Sequence, residues 1–124
     1  MPTTATAFAH TSKVFKDPAK LSSAVVSLYR NYVRRAPYFV EIYEMNVPVG
    51  LVRTKIREEF ERHRFVHDMG VRNHLLQKGQ VDFQETVNFW KQGCHVLKFF
   101  DDYLAVQVEK KPEDFVRKFI KGTA

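Results

Sequence analysis

The sequence predicts an all-α protein: a three-helix bundle with an irregular N-terminal arm and a C-terminal tail that carries a short helix. Three observations predict it. Apolar residues recur at three- and four-residue steps through most of the 124 residues, the spacing that lines one face of a helix. Helix-start signals, an oxygen-bearing residue or a proline, stand ahead of the periodic runs. Strand-type alternation is scarce, with residues 105–108 the only weak candidate.

Residues 1–16 contain no acid and are rich in Thr and Ala. That composition resembles an organelle-targeting segment, but Arg and a clear amphipathic period are missing, so it reads as an irregular arm. Asp17-Pro18 then supplies a cap followed by a proline at the first helical position. Leu21, Val25, Leu28 and Tyr32 give helix one its spacing. Pro37 disfavours helix at Ala36, so the helix is expected to end or bend there. Its apolar arc runs from Ala24 through Leu28, Tyr32 and Tyr29 to Val33 and Val26, and Ser23, Ser27, Arg30, Asn31 and Arg34 fill the rest. The arc is wider than one neighbouring helix needs. It suits packing against two helices, or against helices plus a ligand.

Residues 37–48 are ambiguous: Tyr38, Phe39, Ile42 and Tyr43 can form a short helix, and Asn46 and Pro48 mark a break and a new start. Val49, Val52, Ile56, Phe60 and His63 carry helix two from 49 to about 69, with Gly70 as its end. A short helical turn over 71–78 is closed by Gly79. Asp82 and Glu85 have capping-box spacing ahead of helix three, predicted over 83–104. Phe83, Val87, Trp90, Cys94 and Leu97 form one stripe of it, and Phe89, Val96, Phe100 and Tyr103 a second. A helix apolar around so much of its girth is largely buried. Phe89 and Trp90 diverge by about 100°, so one of them lines a crevice unless the helix is covered on two sides. After Pro112, Phe115, Phe119 and Ile120 share one side of a short amphipathic helix. The organisation expected is an arm at 1–16, a helical domain at 17–104 and a docking tail at 105–124.

The charge is uneven. Residues 1–36 hold six basic groups and one acid, residues 37–79 seven and six, and residues 80–124 seven of each. Almost all of the +6 balance therefore lies in the first third. Such a local patch suits one acidic protein surface at least as well as nucleic acid, whose binders spread their charge over a whole face. A single cysteine, Cys94, excludes an internal disulfide framework and a Cys-rich zinc module. No apolar run approaches the roughly 18 residues of a membrane span.

Arg30 and Arg34 stand one turn apart on one face of helix one, where two guanidinium forks can engage carboxylates. Arg57, Phe60 and Arg64 make a comparable set on helix two, but Glu58, Glu59 and Glu61 are interspersed, which favours a solvated face laced by internal ion pairs. His63 and His67 have a chelating spacing without a third ligand. Nothing orients Cys94 and His95 as a nucleophilic pair, and no phosphate loop or carboxylate pair stands out. No motif argues for an enzyme.

SLYRNYVRRAP at 27–37, KIREEFERHR at 55–64 and a third helix bearing Phe89 resemble the LYR-motif proteins of mitochondria. FWKQGCHVLKFFDD at 89–102 and the PEDFVRKFIKG tail narrow the resemblance to the LYR-type accessory subunits of respiratory complex I, on the matrix side of the inner membrane. The resemblance covers residues 18–121. It implies a three-helix bundle with a hydrophobic tunnel, no cofactor of its own, and a mitochondrial acyl carrier protein docked on the basic face. That partner's acyl-phosphopantetheine would thread between the helices. Carried over by position, Tyr29, Arg30 and Arg64 face the carrier, and Leu28, Phe60 and Phe89 face the tunnel. Arg34, Arg57 and Val33 are added to these sets from helix geometry. Phe115, Phe119 and Ile120 would dock on neighbouring matrix-arm subunits. Glu61 and His63 depart from the family pattern, where a basic residue and Asn are common, which puts a contact at 61 in doubt. Two alternatives stay open: a LYR adapter for another respiratory complex or iron–sulfur biogenesis, and a small basic nucleic-acid-binding module.

Overall fold

The computed structural model describes residues 9, 11–110, 119, 120 and 122. The chain divides into two compact units with the boundary between Gln92 and Gly93. The first contains α1 (Pro18–Ile42), α2 (Val49–Arg62) and α3 (Met69–Val87). The second contains α4 (Gly93–Leu97), a 3-10 turn (Lys98–Phe100) and α5 (Asp101–Lys110) in unbroken succession. The described residues form no strand, and residues 105–108 lie in α5. The all-α class holds.

α1 is the centre of the first unit and packs on both α2 and α3. This is the use to which its wide apolar arc is put. The Asp17 carboxylate accepts from Ala19 N at 3.0 Å, so the helix starts as the sequence indicates. It does not stop at Ala36. Pro37 lies inside it and cannot donate the bond that residue 37 would otherwise make to the Val33 carbonyl. Burial repays that loss. Ala36 and Phe39 are in the core, and the phenols of Tyr38 and Tyr43 donate to Val87 O at 3.3 Å and Thr86 O at 3.0 Å. These carbonyls belong to the last turn of α3, where the helical ladder runs out, and Thr86 O also accepts from Phe89 N at 3.3 Å.

α2 starts after Pro48 as expected but ends at Arg62, well short of residue 69. The larger correction concerns the third helix. It covers Met69–Val87, not 83–104. Its cap is Asp68, whose side chain accepts from Gly70 N at 3.0 Å. Gly70 therefore sits in the first turn of α3, not at the end of α2. Gly79 closes nothing either: a Cβ there would stand 3.0 Å from Leu28 Cδ2, so the missing side chain lets α1 and α3 approach. The supposed capping box of Asp82 and Glu85 lies inside the helix. Asp82 instead accepts from Lys91 Nζ at 2.9 Å, which draws the chain after Val87 back onto α3. The two apolar stripes proposed for 83–104 are broken by residues 88–92, which are not helical.

The arm is irregular but fixed where it is described. Asn73, buried on α3, brackets Phe15: its Oδ1 accepts from Phe15 N and its Nδ2 donates to Phe15 O, both at 2.9 Å. The core around α1 is completed by Leu21, Leu28, Val52, Leu76, Phe83 and Val87.

Candidate functional site

Leu28, Tyr29 and Arg30 point in three directions because successive helical residues turn by about 100°. Leu28 is buried against Gly79 of α3. Tyr29 meets α2, its ring edge-on to Phe60 at 5.4 Å between centroids. Arg30 faces solvent. Arg34 is exposed one turn later, and the two arginines line a shallow depression with Ser22, Ser23, Val26 and Ser27. No ion pair among the described residues engages Arg30 or Arg34. α1 carries no acid before Glu41. Its outer face is therefore positive and unneutralised.

α2 differs. Lys55–Glu58, Arg57–Glu61 and Glu59–Arg62 pair along it at 3.0, 2.9 and 2.9 Å. The internally neutralised face foreseen for this helix is what forms. Arg57 donates to Glu61, and this bond, the Glu61 charge and the neighbouring Tyr29 all raise its pKa. Arg64 lies beyond the helix end, exposed and outside these pairs. The structure thus brings Tyr29, Phe60 and Arg57 to one patch where α1 meets α2, with Arg30 beside it.

The candidate tunnel residues are spread out. Phe60 is half-buried between Tyr29 and Tyr32, whose ring lies 6.0 Å away. Tyr32 also meets Phe83 at 4.8 Å, and Phe83 meets Phe39 at 6.4 Å. An edge-to-face row of rings therefore fills the space between the three helices. Val33 is half-buried at the edge of α1. Phe89 stands apart, past the end of α3 and 37% exposed, with its ring 5.1 Å from Tyr43. From Tyr29 to Tyr43 along α1 is roughly 20 Å. Phe89 is not on a helix at all: its φ is 59°.

Tyr32 and Tyr43 were not singled out from the sequence as site residues. Tyr32 donates to Gly79 O at 3.1 Å. Burial pushes its pKa up, and the charges of Asp82 and Glu85 add to the shift. Tyr43 is pushed up to about 12, by burial first and Tyr38 second. The signal was present: eleven residues is three turns, so both share one face once α1 passes Pro37. His63 closes α2 and His67 follows in the connection, so they do not share a helical face. No cluster of three metal-binding side chains occurs among the described residues. In the second unit, Phe119 and Ile120 are helical and exposed, and Phe115 lies outside the described residues.

The pattern of the Complex 1 protein (LYR family) matches residues 23–85. The chain belongs to this family. The match takes in most of α1, all of α2 and most of α3, and so the three packed helices. The LYR chain is also similar to NADH dehydrogenase [ubiquinone] 1 alpha subcomplex subunit 6 of Dictyostelium discoideum, with 24% identity over 74 residues. That alignment covers 60% of this LYR chain and 60% of the relative, so the chain matches about three fifths of the relative's length. No helix among the described residues is long and apolar enough to cross a membrane.

Proposed function

We propose that this LYR-family chain is a non-catalytic accessory subunit of mitochondrial respiratory complex I, on the matrix side, and that it anchors an acyl carrier protein there. Family membership and the name of the Dictyostelium relative support the place in complex I. One observation carries the anchoring: two arginines without ion pairs stand a turn apart on an acid-free helix face, beside the Tyr29–Phe60 ring pair. The arginines orient an acidic partner and speed its encounter. The rings offer an apolar seam for its acyl chain. Guanidinium groups and edge-on rings hold a partner; among the described residues they orient no nucleophile or general base.

Entry of an acyl chain between α1 and α2 requires Phe60 to swing away from Tyr29 and Tyr32. About ten buried methylenes contribute several kcal/mol at roughly 0.8 kcal/mol each, enough to offset separated ring contacts worth about 1 kcal/mol apiece. The exposed Phe119 and Ile120, with Phe115 on the same tail, dock on neighbouring matrix-arm subunits.

Native capture of the full chain from mitochondria, read by intact mass spectrometry, tests the proposal. The expected result is stoichiometric recovery with complex I, together with a small acidic protein carrying the mass of an acylated phosphopantetheine. Intact complex I lacking the chain would exclude the subunit role. Complex I holding the chain without a carrier protein would exclude the anchoring role.

A further inference from the structure

We infer that Phe65, at the tip of the α2–α3 connection, is the apolar anchor of the docking face, inserting into an apolar pocket rimmed by carboxylates on the acidic partner. The inference rests on the proposed carrier-docking role and adds a contact to it.

Phe65 is 81% exposed, more than any other large apolar side chain among the described residues. It is held there by an ordered turn. His63 N donates to Phe60 O at 3.3 Å, Arg64 N to Glu61 O at 3.0 Å, and Val66 N to His63 O at 3.3 Å. The last bond makes Phe65 the third residue of a turn over 63–66. Val66 is half-buried, and Asp68 caps α3 just beyond, so the connection is fixed on both sides of the ring. Turn geometry asks for no aromatic residue at that position, where Gly, Asn or Asp serve better. A bare phenylalanine on a hydrogen-bonded tip is thus surface that burial on a partner would stabilise.

Its neighbours select the partner. Arg62, His63, Arg64 and His67 are all exposed around it. Arg62 is engaged by Glu59, whereas Arg64 takes part in none of the ion pairs. The adjoining acid, Asp68, spends an oxygen on the Gly70 amide. An aromatic side chain beside an unpaired arginine is the composition of an interface centre. Residues 63–68 hold one arginine and one acid, so it is Arg64, together with the positive face of α1, that favours a carboxylate-bearing partner. An anionic bilayer would oppose Glu59, Glu61 and Asp68 with a uniformly negative plane, whereas a protein surface can set its carboxylates opposite Arg64 and not opposite those acids. The connection also continues the α2 stripe of Arg57 and Phe60, which reaches Tyr29.

The test measures the affinity of the full chain for purified acylated carrier protein, with Phe65→Ala, Phe65→Leu and Arg30→Glu compared at low and high salt. Phe65→Ala should weaken binding by about tenfold or more, by a similar factor at both salt concentrations, because an apolar contact is not screened. Phe65→Leu should retain most of the affinity. The exposed position keeps helix content unchanged in both. If Arg30→Glu abolishes binding and Phe65→Ala leaves it intact, the anchor is wrong and the docking face stands. If neither changes it, the docking face itself is wrong. Loss of binding to phosphatidylcholine–phosphatidylglycerol vesicles in Phe65→Ala, with carrier affinity unchanged, would overturn the inference in favour of a membrane contact.

Discussion

Glu44 and Phe89 both hold left-handed backbone, with φ of 47° and 59°, and neither is the glycine that such positions favour. Each closes a helix by the same two bonds. After α1, Glu44 N donates to Glu41 O and Met45 N to Val40 O; after α3, Phe89 N donates to Thr86 O and Trp90 N to Glu85 O. The backbone pays roughly 1–2 kcal/mol at each for a Cβ in that region. Glu44 is exposed, so Glu44→Gly should raise stability by about 1 kcal/mol, seen as a higher urea midpoint with an unchanged slope. A lower midpoint would mean that the Glu44 side chain contributes more than the strain costs. These caps also explain what was hard to read. Without glycine at 44 or 89, two real helix ends left no signal, and Gly70 and Gly79 supplied two false ones.

The buried phenols make a second residue-scale prediction. Tyr32 and Tyr43 have folded pKa values raised above the unfolded value near 10, Tyr43 to about 12. The neutral phenol is the form that the fold favours. Their contribution is therefore complete below about pH 10 and is lost as pH rises toward the folded values. Denaturant titrations from neutral pH to about pH 11 should show falling stability, and the Tyr32→Phe, Tyr43→Phe double variant should flatten that fall. The same variant should be weaker near neutral pH by about 1 kcal/mol for each lost bond to Gly79 O or Thr86 O. An equally steep alkaline fall in the variant would place the titration elsewhere.

At the scale of elements, the starts of α1 and α2 are legible in the sequence, and the start of α3 and the helix ends are not. Asp17-Pro18 and Pro48 announce α1 and α2 correctly, because capping chemistry is local. Asp68 has the same capping chemistry, but the periodicity of α2 carries past it to residue 69 and masks the start of α3. The crowding of aromatic residues at 83–104 imitates a third helix there. The apolar face of α3, Leu76, Phe83 and Val87, is spaced by seven and four residues and is interrupted by Gly79 and Gln80. What decides the matter is tertiary: Leu28 needs the gap at Gly79, and Lys91 is tied to Asp82. Pro37 shows the same override in α1, where the bonds of Tyr38 and Tyr43 to α3 and the burial of Phe39 offset the missing helical bond. Of the candidate site, the α1 face was legible because its residues lie on one helix. The relation of Phe60 to Phe89 was not, because it depends on where α3 stops.

At the scale of the whole molecule, charge and apolar surface are arranged side by side. The first 36 residues carry a net +5, and among the described residues Arg30 and Arg34 face solvent without an ion pair. α2 neutralises itself. The seam between them is lined by Tyr29, Tyr32 and Phe60. The role we propose for this face is to anchor an acidic, acylated carrier protein. Charge reversal at Arg30 tests it most directly, because the side chain is exposed and the bundle does not lean on it. The measurement is the amount of carrier protein recovered with the full-length Arg30→Glu chain, beside its helix content by circular dichroism. The expected result is that the carrier is lost and helix content is kept. Full recovery of the carrier at unchanged helix content would rule out this face as the anchor.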